Sequence, residues 1–163
     1  MNTRIETPIR SAPNEIHFPA RTIRTFLAED SPALMTLLAR IVSKDRRVLL
    51  VGSATNGREA LGNATALRPD LVVTDLDMPG MDGEELTRQL KLLPHPPVVL
   101  VATANDTREA RERCVAAGAN AYLVKTINLA PQLLSTVQEL FPDPLEPSLA
   151  ERQFLHASIT TIE

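Results

Sequence analysis

Two rhythms of apolar residues alternate along this chain. Short, mainly apolar runs occur at Thr22–Ala28, Val48–Val51, Leu71–Thr74, Val98–Ala102 and Ala121–Val124. Between them, apolar residues return every three or four positions, the spacing of one helical face. Ser31 and Pro32 read as N-cap and first residue of a helix carrying Leu34, Leu37, Leu38, Ile41 and Val42 on that face. A second helix is expected over Gly57–Leu67, with Ala60, Leu61, Ala64 and Leu67 on one side, although Gly57 and Gly62 weaken it. A third is expected over Glu84–Leu92. A fourth runs over Thr107–Ala117 and stops at Gly118, a candidate left-handed cap. A fifth covers Leu129–Phe141, with Leu133, Val137 and Leu140 inward.

Strands that are apolar on both faces and alternate with helices predict a parallel sheet covered on both sides. The expected fold is α/β: a doubly wound (βα)5 domain with a flavodoxin-like five-stranded parallel sheet. In such a sheet the ligand site lies at the carboxyl ends of the strands. Residues 1–20, with Pro8, Pro13 and Pro19 among polar residues, read as a flexible tail. The domain is expected over 21–141. Residues 142–163 read as a Pro-rich tail that could form a short helix over 148–157 and is too short for a second domain.

Composition narrows the partners. The chain has 163 residues, 44% hydrophobic and 23% charged, an ordinary balance for a globular domain. Net charge is −3 and aromatic content 3%, so neither a nucleic-acid footprint nor a base-stacking surface is expected. No apolar run approaches membrane-spanning length, and the N-terminus has no signal-peptide core. The one cysteine, Cys114, fits a reducing compartment and reads as core filler, so the cytoplasm is the expected location.

The strand-end rule gathers a specific set of side chains. Glu29 and Asp30 follow the first strand, Asp75 the third, Thr103 the fourth and Lys125 the fifth. Three close carboxylates repel one another, and a divalent cation relieves that repulsion. An all-oxygen site of this kind suits Mg²⁺. Lys125 and Thr103 would offer a charge and a donor to phosphoryl oxygens. The scattered His17, His95 and His156 have no metal-ligand spacing. Glu109-Ala110-Arg111-Glu112-Arg113 reads as a solvated helix face.

Over about 22–141 the chain resembles the CheY-like receiver family. The resemblance is carried by Asp75-Leu76-Asp77-Met78-Pro79-Gly80-Met81-Asp82-Gly83, by Ala102-Thr103-Ala104 and by Gly118-Ala119-Asn120-Ala121-Tyr122-Leu123-Val124-Lys125. It implies that Asp75 accepts a phosphoryl group from a sensor histidine kinase or a histidine phosphotransfer protein. Asp30, Asp75 and the backbone carbonyl of Asp77 would ligate Mg²⁺, with Glu29 acting through water. Lys125 would pair with Asp75, and Thr103 would move toward the phosphoryl group. Tyr122 would be the switch aromatic that turns inward behind Thr103. Output would run through the face of the fourth helix, fifth strand and fifth helix, to a downstream protein or a second copy in a homodimer.

The chain departs from the pattern where Thr126 follows Lys125 in place of proline. That residue pair is similar to receivers of LuxR-type (NarL/FixJ-like) regulators, and a trans peptide is expected there. No DNA-binding module follows, so the chain reads as a single-domain response regulator or as a piece of a transcriptional regulator. One side chain and two rival readings complete the picture. Asp77 is either a solvated loop carboxylate or a modulator of the metal site. The domain could be a pseudo-receiver that only binds or dimerises. Asp75-Leu76-Asp77 also resembles the haloacid-dehalogenase phosphatase motif, but that family's downstream acidic pair is missing here. The expectation is a signalling protein with self-catalysed phosphotransfer and dephosphorylation, not an enzyme acting on free substrates.

Overall fold

A computed structural model describes residues 21–142. The expected N-terminal tail and all but the first residue of the expected C-terminal tail lie outside the described residues. Ten elements alternate strictly: β1 (Ile23–Ala28), α1 (Pro32–Val42), β2 (Val48–Ala54), α2 (Gly57–Leu67), β3 (Leu71–Thr74), α3 (Gly83–Lys91), β4 (Val98–Thr103), α4 (Arg108–Ala116), β5 (Ala121–Val124) and α5 (Leu129–Leu140). The strands form one parallel sheet in the order β2-β1-β3-β4-β5.

Successive strand residues feed opposite faces. Phe26, Ala28, Val72, Val99 and Val101 pack with Ala60 and Ala64 of α2, Leu86 and Leu90 of α3, and Ala110 and Cys114 of α4. Ile23, Leu27, Leu71, Val73, Leu100 and Ala102 pack with Leu38, Ile41 and Val42 of α1 and Leu133 and Val137 of α5. Three helices therefore cover one face and two the other, the doubly wound arrangement.

Local chemistry sets the helix starts. Ser31, Asn56, Asp82 and Thr107 each accept a backbone N–H of the following turn through the side chain. Pro32 sits in the first turn of α1, and Gly118 follows α4 with φ +103°, both as expected. No cis peptide bond occurs among the described residues.

Three details differ from the sequence pattern. Leu37, expected inward, is 45% exposed, and the inward stripe of α1 instead includes Met35 and Ala39 beside Leu38, Ile41 and Val42. Strand β2 runs on through Gly52 and Ser53 to Ala54, because its pairing with β1 resumes past an irregularity at Thr25/Phe26. Gly57, suspect inside a helix, is required there: a Cβ would lie 2.2 Å from the Met81 carbonyl oxygen. Among the described residues no helix is long and apolar enough to cross a membrane.

Candidate functional site

Sheet register builds the site. Ala28 pairs with Thr74 across β1 and β3, so Glu29 and Asp75 leave neighbouring strands side by side. The Asp75 N–H donates to the Ala28 carbonyl at 2.8 Å. Thr103 pairs with Val124 across β4 and β5, and the Lys125 N–H donates to the Thr103 carbonyl at 2.7 Å. Glycine sets the depth of the loop after β3. A Cβ on Gly83 would lie 2.0 Å from the Asp75 carbonyl oxygen, so the start of α3 packs directly on the backbone of Asp75.

Glu29, Asp30 and Asp75 each bring a carboxylate oxygen within 4.8 Å of the others. Lys125 Nζ lies 2.6 Å from Glu29 Oε2 and 3.1 Å from Asp75 Oδ2. The other Asp75 oxygen, Oδ1, accepts the Leu76 N–H at 2.7 Å. Glu29 is fully buried, and its Oε1 accepts the Ser31 N–H at 3.1 Å. Burial pushes the Glu29 carboxyl above its ordinary value of 4.5; the bonds from Lys125 and Ser31 oppose that shift, and the Asp75 charge adds to it. Asp30 is exposed at the mouth. One ammonium thus answers three carboxylates, and the excess negative charge and oxygen-only donors fit a hard divalent cation.

Thr103 is buried, and its hydroxyl accepts the Asn105 N–H at 3.2 Å. The Tyr122 ring is buried too, and its hydroxyl donates to the Asn105 carbonyl at 2.6 Å. Burial and nearby Cys114 push the Tyr122 phenol up. The two residues expected to move together therefore both bind the backbone of Asn105. The Asp77 side chain is exposed, as a solvated loop carboxylate would be.

Sequence reasoning missed Asn105 and two contacts made by the exposed face of α4. Asn105 also accepts the Thr107 N–H through its side chain, a local turn that Asn two residues before a capping threonine could have signalled. Arg111, read as solvated, stands over the Tyr122 ring at 4.7 Å from its centroid. Arg113, also read as solvated, pairs with Glu84 of α3 at 3.0 Å. Neither cross-element contact has a local sequence signal.

Residues 25–138 match the family model described as response regulator receiver domain. The chain is 38% identical over 105 residues to a protein-glutamate methylesterase/protein-glutamine glutaminase of Syntrophus aciditrophicus, covering 63% of this chain and 30% of that protein. It thus spans about a third of the length of such relatives. Among solved structures, the signal receiver domain of a NarL response regulator from Mycobacterium tuberculosis superposes with TM-score 0.66 at 26% identity, covering 72% of this chain and 98% of that one. The response regulator domain of Thermotoga maritima CheB does so with TM-score 0.68 at 23% identity, covering 78% and 100%. Together with the sheet order and the acidic pocket, these matches show that the chain belongs to the response regulator receiver domain family.

Proposed function

We propose that this domain accepts a phosphoryl group on Asp75 from the phosphohistidine of a sensor kinase or phosphotransfer protein. The observation that carries this reading is Lys125 Nζ bridging Glu29 and Asp75 inside a three-carboxylate cluster. In the forward step the Asp75 carboxylate attacks phosphorus, the P–N bond breaks and the imidazole leaves with the electron pair. Lys125 balances charge on the acceptor before transfer and on the phosphoryl oxygens after it. The Thr103 hydroxyl, while accepting from Asn105, can still donate to one of those oxygens. Water later attacks phosphorus, the bond from phosphorus to the Asp75 oxygen breaks, and inorganic phosphate leaves as Asp75 returns to the carboxylate.

Asp30 and Asp75, with the Asp77 backbone carbonyl and with Glu29 through water, would hold Mg²⁺. The ion would supply charge neutralisation for the transferring group. Output is assigned to the face of α4, β5 and α5, toward a downstream protein or a second copy of the chain, in the cytoplasm. We read the chain as a signalling module and not an enzyme acting on free substrates; the methylesterase activity of longer relatives is not carried over.

The test is incubation with Mg²⁺ and phosphoramidate, followed by intact mass. The wild-type chain is expected to gain one phosphoryl group, and Asp75→Asn none. Equal labelling of Asp75→Asn would sink the assignment. Sustained hydrolysis of small phosphomonoesters would point to a phosphatase instead.

A further inference from the structure

Tyr122 is held on more than its hydroxyl. The Arg111 guanidinium of α4 lies over the ring, its carbon 4.7 Å from the centroid. Arg111 Nη2 is also 3.6 Å from Asp106 Oδ1 in the loop between β4 and α4. The same loop holds Asn105, whose carbonyl accepts the Tyr122 hydroxyl and whose N–H donates to Thr103. A planar cation on a ring face is attracted by the ring quadrupole, and arginine serves this geometry better than lysine.

We propose that Arg111 is a positioning residue for Tyr122, clamping its ring in the buried position and thereby fixing the Asn105 loop, whose N–H holds the Thr103 hydroxyl. The contact makes the inward ring the resting arrangement of this chain. Its consequence at Asp75 rests on the phosphoacceptor reading; the clamp itself does not. Because coupling between sites is reciprocal, a residue that holds the ring in also tightens binding of a phosphoryl group at Asp75. Arg111 is 48% exposed on its side chain, so a carboxylate on a docking partner can compete for it.

The chain makes this testable without a label. It has one tyrosine and no tryptophan, so its tyrosine emission reports Tyr122 alone. In the full chain, Arg111→Gln is expected to increase acrylamide quenching of that emission. The same variant is expected to weaken beryllofluoride binding in Mg²⁺ by at most about fivefold, the ceiling set by one partly exposed cation–ring contact when the inward ring is already the resting state. Arg111→Lys should fall between wild type and Arg111→Gln. Glu109→Gln, exposed on the same helix, should change neither reading. Unchanged quenching in Arg111→Gln overturns the clamp. Failure of the wild-type chain to bind beryllofluoride would remove the phosphoacceptor reading instead, and quenching alone would then decide the role of Arg111.

Discussion

The two edges of the sheet both bury charge, with opposite results. At the amino-terminal edge, Arg47 and Asp45 form a pair at 2.7 Å, with side chains 12% and 8% exposed. The guanidinium also donates to the Phe141 carbonyl, which ties the end of α5 to the turn before β2. Here a cation meets an anion, and the Arg47 bonds hold the Asp45 carboxyl below its ordinary value. At the carboxyl edge, one ammonium faces three carboxylates, and the buried Glu29 is held above its ordinary value. The first edge uses charge to close the fold. The second carries an imbalance that a bound cation or a proton on Glu29 would relieve.

The comparison breaks most sharply at its two cations. Lys125→Ala is expected to slow phosphotransfer from phosphoramidate by about 100-fold, the usual scale for losing one group that stabilises transferring charge. A rate within a few-fold of wild type, measured by intact-mass time courses, would remove Lys125 from the mechanism. Arg47→Ala leaves Asp45 buried and the Phe141 carbonyl short of a donor. It is expected to cost about 2 kcal/mol in urea unfolding while leaving the phosphotransfer rate near wild type. A large loss of phosphotransfer in that variant would show that the two edges are not separable.

The smaller effect lies in pH dependence. Glu29 titrates higher in the folded chain than its ordinary 4.5, so the folded state binds its proton more tightly than the unfolded chain. Its contribution to stability is therefore favourable at low pH and is lost as pH rises from about 4.5 through the folded value. Asp45 has the reverse sign: its lowered value contributes stability above about 3.8 that disappears as pH falls through the folded value. Glu29→Gln is accordingly expected to raise stability near pH 7 in metal-free buffer. That advantage should vanish below pH 4.5 and reverse when Mg²⁺ is present. No difference between Glu29→Gln and wild type across the range would mean that the buried carboxylate carries no net cost.

Much of this was legible along the chain. Asp75, Glu29, Asp30 and Lys125 could be grouped because a parallel sheet puts the carboxyl ends of its strands on one edge. The N-cap Ser31 could be placed because capping is local. Leu37 was placed wrongly because spacing defines a face but not which part of it meets the sheet. Gly57 and Gly83 were legible as glycines but not as contacts, since their reason is a carbonyl elsewhere in the chain: Met81 for one, Asp75 for the other.

What the sequence by itself determined is the order of elements and the residue types at each strand end, because periodicity and capping act over a few positions. Only the tertiary structure decided the electrostatics. That Glu29 shares Lys125 with Asp75, that Asn105 joins Tyr122 to Thr103, and that Arg111 covers the ring all depend on side chains from separate elements meeting across the fold. Such contacts depend on packing distance and not on spacing along the chain, so no local pattern encodes them.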